Sequence, residues 1–254
     1  MEIVVCIKQV PDTTDIKIDP VYNTLVRSGV PSIINPYDMY AIEEGLRLKE
    51  KYGGKVTVIS MGPPQVETAF KEAISLGVAE CILLSDRRFA GADTLATAYT
   101  LAAGIKKLED WDLIICGKQA ADGDTAQVGP GIAEFLHIPQ ITYVKKIESI
   151  DNEKMTAQRM TDYGYDVIEV KLPALITVVK EINTPRLPSL RGKMRAKKYQ
   201  HQVLTADDIA QTEPNRLGLD GSPTKVVRVF TPELKGGGEI IEADAQQSAD
   251  KLMK

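Results

Sequence analysis

Along the first 140 residues, short apolar runs alternate with longer amphipathic ones. EIVVCIK (2–8), KVTVIS (55–60), AECILLS (79–85) and DLIIC (112–116) are near-continuous apolar stretches of strand length, the pattern of strands covered on both faces. Between them the period changes. DMYAIEEGLRLKEKYG (38–53) places Met39, Ile42, Leu46 and Leu48 on one helical side and stops at Gly53-Gly54. QVETAFKEAISLG (65–77) is a second predicted helix, ending at Gly77. DTLATAYTLAAGIKKL (93–108) is a third, with Asp93 as its N-cap, and a fourth follows the polar turn after Cys116. Four β-turn-α steps predict a doubly wound, mostly parallel α/β fold of three layers. Ligands of such sheets sit beyond the strands' carboxyl ends, at a switch point. The turns Cys6–Gln9, Met61–Pro64, Ser85–Asp86 and Gly117–Asp124 are therefore the predicted walls of any site.

The pattern shifts after Pro139. ITYVKKIESI, EKMTAQRM, YDVIEVKL and ALITVVKEI alternate apolar and polar residues with short breaks. They predict a β-meander of three or four strands over 140–182, at the sheet's edge or lying over it, completing a first domain of 1–182. From Asn183 the order fades into a basic segment, 183–200, and a tail, 201–254. Within the tail TADDIA reads as a short helix, SPTKVVRVF as a last strand, GGG (236–238) as a hinge and EADAQQSADKLMK as a closing amphipathic helix. So polar a tail buries little by itself and is expected to lie along a partner.

Composition narrows the function. The net charge of −4 gives no general basic field for nucleic acid or anionic lipid. No apolar run approaches the ~20 residues that span a bilayer, and MEIVVCIKQV reads as a strand rather than a signal peptide. A cytoplasmic protein with no membrane partner is the expectation. Cys6, Cys81 and Cys116 form no CxxC and fall in or beside predicted strands, as buried reduced thiols do. His137 and His201 lie far apart, so no metal site is expected.

The stretch CGKQAADGDTAQVGPGIAEFL (116–136) carries the candidate chemistry. It contains neither a GxxxxGK[ST] nor a GxGxxG phosphate loop. Asp124 and Thr125 can cap the next helix, and Asp124 to Gln127 has capping-box spacing. Pro130 suits a first helical turn, so the helix is predicted to begin near Val128. The amides of residues 125–129 would then face a phosphate, with Asp122 and Asp124 turned aside. From the residues alone, a ligand-binding turn and a plain structural cap remain open alternatives. NPYD (35–38) opens a helix after an extended stretch; the Asn35 carboxamide could read an adenine edge, and Tyr37 could stack on a ring or simply pack. MGPP (61–64) offers a flat apolar wall.

These segments together resemble the β subunit of electron-transfer flavoprotein over nearly the whole chain. The resemblance is carried by VVCIKQV (4–10), NPYDMYAIEEGLRLKE (35–50), ISMGPPQ (59–65), CGKQAADGDTAQVGP (116–130) and PRLPSLRGKMRAKK (185–198), in that order. It implies an adenine-nucleotide-hydrolase-like fold that hydrolyses nothing, an α-subunit partner carrying an FAD, and a C-terminal segment reaching onto that partner. The implied pocket is Cys6, Asn35, Pro36, Tyr37, Asp38, Met61, Gly62, Pro63, Ala120, Ala121, Asp122, Gly123, Asp124, Thr125, Ala126, Gln127 and Val128. In the ordinary branch it holds AMP; in the electron-bifurcating branch it holds a second FAD. Where the ordinary branch often carries Asn-Gln-Thr, this chain has Ala126-Gln127-Val128, which leaves room for a second phosphate. The resemblance thus implies FAD, with AMP as the alternative. NADH would reduce that FAD by hydride transfer, which needs stacked geometry but no protein base, so no catalytic side chain is assigned. One electron would pass through the α-subunit FAD to an acyl-CoA dehydrogenase-type enzyme, the other to ferredoxin or flavodoxin. The basic segment would dock the dehydrogenase, with Leu190 as anchor, Met194 second, and Lys193 among the flanking charges. A stand-alone ATP-binding protein of the same fold is a remote alternative, because IKQVPDT stands where an SGGxDS-type loop would follow the first strand.

Overall fold

The structure, a computed structural model, is described for residues 1–12, 31–151, 153–209, 213–227, 238 and 240–253. In chain order its elements are β1 (Glu2–Cys6), β2 (Gln9–Pro11), β3 (Ser32–Ile34), α1 (Pro36–Tyr52), β4 (Lys55–Met61), α2 (Glu67–Leu76), β5 (Glu80–Leu84), α3 (Thr94–Ile105), β6 (Leu113–Gly117), α4 (Val128–Leu136), β7 (Gln140–Ile150), β8 (Lys154–Thr161), β9 (Gly164–Lys171), β10 (Ala174–Val178), α5 (Leu190–Lys198), β11 (Gln202–Leu204) and α6 (Ala245–Leu252). The main sheet has nine strands in the order β11-β5-β4-β1-β6-β10-β7-β8-β9. From β11 to β7 the pairs are parallel; β8 and β9 follow antiparallel. The small β2-β3 hairpin stands apart.

Alternating side chains of β1 feed two cores. Ile3 and Val5 join Ile42, Leu46, Phe70 and Ala196 on the side of α1, α2 and α5. Val4 and Cys6 join Ala98, Leu101, Ile132 and Ala133 on the side of α3 and α4. This is the three-layer fold that the alternating pattern predicts. From β1 the chain steps outward through β4 and β5, then returns to place β6 on the other flank of β1. The switch point lies between β1 and β6, where Cys6 and Cys116 are register partners. The predicted helices match within a few residues. α1 begins at Pro36, whose missing N–H costs nothing at a first helical position, and α3 starts where Asp93 accepts from the amides of Leu95 and Ala96.

Four expectations are corrected. Only β7, β8 and β9 form the meander; the fourth segment, β10, inserts between β6 and β7, parallel to both. Its residues ALITV are all buried, and a strand apolar on both faces belongs inside a sheet. Order does not fade at Asn183: α5 packs beside α2, and β11 adds a parallel strand to β5. Gly192 makes the α5 packing possible, because a Cβ there would stand 2.0 Å from the Ser75 carbonyl oxygen. TADDIA is a turn through residue 209, in which the Asp208 carboxylate accepts from the Thr205 amide and hydroxyl, and its last residue lies outside the described ones. In SPTKVVRVF residues 222–227 form no strand, and the remainder lies outside the described residues. The expected GGG hinge also lies outside them, save Gly238.

The described residues fall into two compact units, one comprising 1–12 and 31–225, the other 226–253. In the second unit α6 is capped by Asp244, which accepts from the Gln247 amide, and none of its residues is buried. Among the described residues no helix is long and apolar enough to cross a membrane, and no group of three His, Cys, Asp or Glu could hold a metal.

Candidate functional site

A cleft of about 1070 Å³ opens at the carboxyl ends of β1, β4 and β6, at the switch point. Its floor includes the buried thiols of Cys6 and Cys116. Hydrogen bonding to the Cys6 thiol, then burial, push the Cys116 thiol upward, so it stays neutral. Met61, Gly62 and Pro63 form one wall, and Gly91 to Thr94 with Thr97 another.

The floor is tied to the mouth by Asn35 and Asp38. Asp38 accepts from the Lys8 amide at 2.7 Å and from Asn35 Nδ2 at 3.0 Å, and also from the Gly117 amide. The carboxyl thereby joins the ends of β1, β6 and α1. Gly117 must be glycine here, since a Cβ would lie 2.3 Å from Asp38 Oδ1. Burial raises the Asp38 pKa to about 7, against hydrogen bonds from Asn35, Lys8 and Gly117 and the Lys8 charge that pull it down. Asn35 also donates Nδ2 to the Gln119 carbonyl at 2.8 Å and accepts from the Ala121 amide at 2.9 Å. At 1% exposure, with both ends of its carboxamide committed to the chain, Asn35 does not read an adenine edge. It clamps the 117–123 turn onto α1.

Beyond the clamp, the amides of Gly123 and Asp124 both donate to the Ala120 carbonyl. Asp122 pairs with Lys8 Nζ at 2.6 Å. Asp124 and Ala126 are left-handed, with φ of 51° and 55°. The predicted capping box does not form. Asp124 accepts instead from the Gln119 side-chain amide, and Gln127 is the N-cap residue, with no side-chain cap bond. The left-handed residue at 126 breaks the regular spacing a capping box needs. Gln127 Oε1 reaches across to accept from Thr94 Oγ1 at 2.8 Å, linking the starts of α3 and α4. With α4 uncapped by a side chain, the first-turn amides of Val128 and Gly129 are left for a ligand or solvent. Asp93, on the facing wall, is occupied by the α3 amides and by the amide and hydroxyl of Thr224.

Of the sequence-predicted pocket, Cys6, Asn35, Asp38, Met61, Gly62, Pro63, Ala120, Asp122, Gly123, Thr125, Ala126, Gln127 and Val128 line the cleft. Pro36, Tyr37, Ala121 and Asp124 do not; Tyr37 stands beside the Lys118 ammonium instead. Ser85 and Asp86 are also absent, because Asp86 is held by Arg88 and the Ala206 amide. Lys118 and Gln119 line the cleft as part of the predicted Gly117–Asp124 turn, whereas sequence reasoning missed Phe89, Thr94 and Thr97. The signal for the α3 wall was available: the Asp93 cap marks a helix start on the same side of the sheet as α4. Leu190, Lys193 and Met194 lie on α5, with Leu190 78% and Met194 64% exposed.

An electron transfer flavoprotein domain model matches residues 23–209. The chain is 53% identical over 255 residues to the electron transfer flavoprotein subunit beta of Thermoanaerobacterium thermosaccharolyticum, covering 100% of this chain and 97% of the relative. It is 54% identical over 249 residues to the corresponding subunit of Clostridium acetobutylicum, covering 98% and 95%. It is 50% identical over 242 residues to a caffeyl-CoA reductase-Etf complex subunit, CarD, of Acetobacterium woodii, covering 95% and 92%.

Proposed function

The chain belongs to the electron transfer flavoprotein family, whose β subunits it matches along its length, and we propose that its cleft binds FAD rather than AMP. The observation that carries this reading is the pair Ala126 and Val128 on the lip of a cleft of about 1070 Å³. That volume lies just above the roughly 300–1,000 Å³ typical of ligand pockets. Neither side chain can donate to a terminal monophosphate or fill the space beyond it. The residues present fit a dinucleotide: backbone amides at the start of α4 for phosphate, the apolar Met61–Pro63 wall for a ring, and a floor that includes the buried Cys6 and Cys116. When bound, FAD would supply hydride acceptance from NADH and single-electron release. The chain itself binds, orients and shields, and needs no catalytic side chain.

In this reading the protein works with an α subunit whose FAD relays one electron to an acyl-CoA dehydrogenase-type enzyme, while ferredoxin or flavodoxin takes the other. The name of the Acetobacterium relative, which pairs it with a caffeyl-CoA reductase, supports a CoA-ester enzyme as partner. Leu190 and Met194, one turn apart on an exposed face of α5 with Lys193 beside them, are the docking residues of this proposal.

The test is cofactor stoichiometry. The heterodimer purified from FAD-replete cells should carry two flavins, and NADH should bleach both under anaerobic conditions. Ala126→Asn with Val128→Thr should lower the content towards one flavin with AMP recovered, because Asn tolerates the left-handed backbone at 126. One flavin plus AMP in the wild type would overturn the FAD reading.

A further inference from the structure

We propose that Lys118 is the side chain by which the cleft recognises the phosphate of its nucleotide, and so separates nucleotides from nucleosides. The inference rests on reading the cleft as a nucleotide site.

Among the described residues that line the cleft, the cationic side chains are Lys8 and Lys118. Lys8 is neutralised by Asp122 at 2.6 Å. Lys118 makes no ion pair among the described residues. Its ammonium stands 5.2 Å from the centre of the Tyr143 ring and 6.0 Å from that of Tyr37. Ring faces orient a cation without cancelling its charge. The carboxylates lining the cleft are already spoken for: Asp38 by the amides of Lys8 and Gly117 and by Asn35, Asp93 by the start of α3 and Thr224, Asp122 by Lys8. Lys118 is therefore the cleft-lining cation left without a carboxylate partner among the described residues, and an anionic ligand would supply its counterion.

The backbone builds this arrangement. The Lys118 amide donates to the Val178 carbonyl at 2.9 Å, fixing the residue just past the end of β6. Tyr143 is left-handed at φ 56°, next to the register shifts that β7 makes against β8 and β10, and its amide donates to Thr177 Oγ1 at 3.0 Å. Such irregularities re-aim a side chain; here the ring they re-aim is the one under the ammonium.

The experiment titrates adenosine, AMP and ADP into the heterodimer after its cleft nucleotide has been dialysed away, comparing wild type, Lys118→Met and Lys118→Arg by calorimetry. Wild type should bind AMP and ADP more tightly than adenosine. Lys118→Met should weaken both phosphorylated ligands about tenfold, the loss of one charged hydrogen bond, and leave adenosine unchanged. Lys118→Arg should keep most of the difference. If Lys118→Met weakens adenosine equally, or weakens none of the three, phosphate recognition by Lys118 is wrong while the nucleotide reading stands. Failure of wild type to bind any of the three would end both.

Discussion

Asp38 carries a carboxyl whose charge is opposed by burial, and this has a direct consequence for stability. Its pKa stands at about 7 in the folded chain against an ordinary value of 3.8. Between those values the folded state holds a proton that the unfolded chain would release. The stability this contributes is fully present below 3.8 and is lost as pH rises to about 7, after which it is level. Glu44, raised mainly by burial, acts in the same direction. Urea unfolding at pH 5, 6, 7 and 8 should show wild-type stability falling across that window, and Asp38→Asn, which cannot ionise, should show a shallower fall. Identical slopes would remove Asp38 from the account. The position of Asp38 was legible in NPYD, but its role was not. Two of its three hydrogen-bond partners, Lys8 and Gly117, belong to strand ends that only the fold brings to it. Asn35 misled for the same reason: its carboxamide looks free in sequence and is consumed by Gln119, Ala121 and Asp38 once the turn closes.

At the level of elements, α5 presents two faces of one short helix, one packed and one exposed. Ser189 accepts from the Gly192 amide to cap it, and Arg195 donates to the carbonyls of Val78 and Ala79, just past α2. That face anchors; Leu190 and Met194 point away from it and remain exposed, as does Leu187 just before the cap. Leu190→Ala should leave the unfolding midpoint within about 0.5 kcal/mol, as surface changes do. It should slow electron delivery to the dehydrogenase while NADH oxidation by an artificial acceptor stays intact. Equal loss of both activities would count against docking through this helix. The run RGKMRAKK shows no helical period in the sequence because Ala196 alone is buried, too thin a stripe to mark a helix. Elsewhere the apolar runs were long enough to mark β1, β4, β5 and β6, and the glycine and Asp93 signals bounded the helices between them. β10 was visible as a strand; its insertion beside β6 is decided by which strand offers an unpaired edge and an apolar face, a tertiary matter that period alone does not encode.

For the whole molecule, the division at residue 225 separates a unit with two cores from one whose described residues form none. In the second unit Val226, Val227, Ile240, Leu252 and Met253 are all largely exposed, and the eight-residue α6 buries no side chain. A helix shorter than about 12–15 residues is marginal in water by itself, and the Asp244 cap adds only about 1 kcal/mol. Its apolar residues need a surface to cover them. For a β subunit the α subunit is the natural one, which agrees with the expectation that so polar a tail lies along a partner. If so, Ile240→Asp with Leu252→Asp should weaken co-purification of the α subunit, because two charges would enter an interface without partners. The same change should leave the first unit's unfolding transition where it was, since none of its cores includes these residues. Retained α-subunit binding would assign that contact to the first unit. A lowered transition with binding intact would mean instead that the tail supports its own chain.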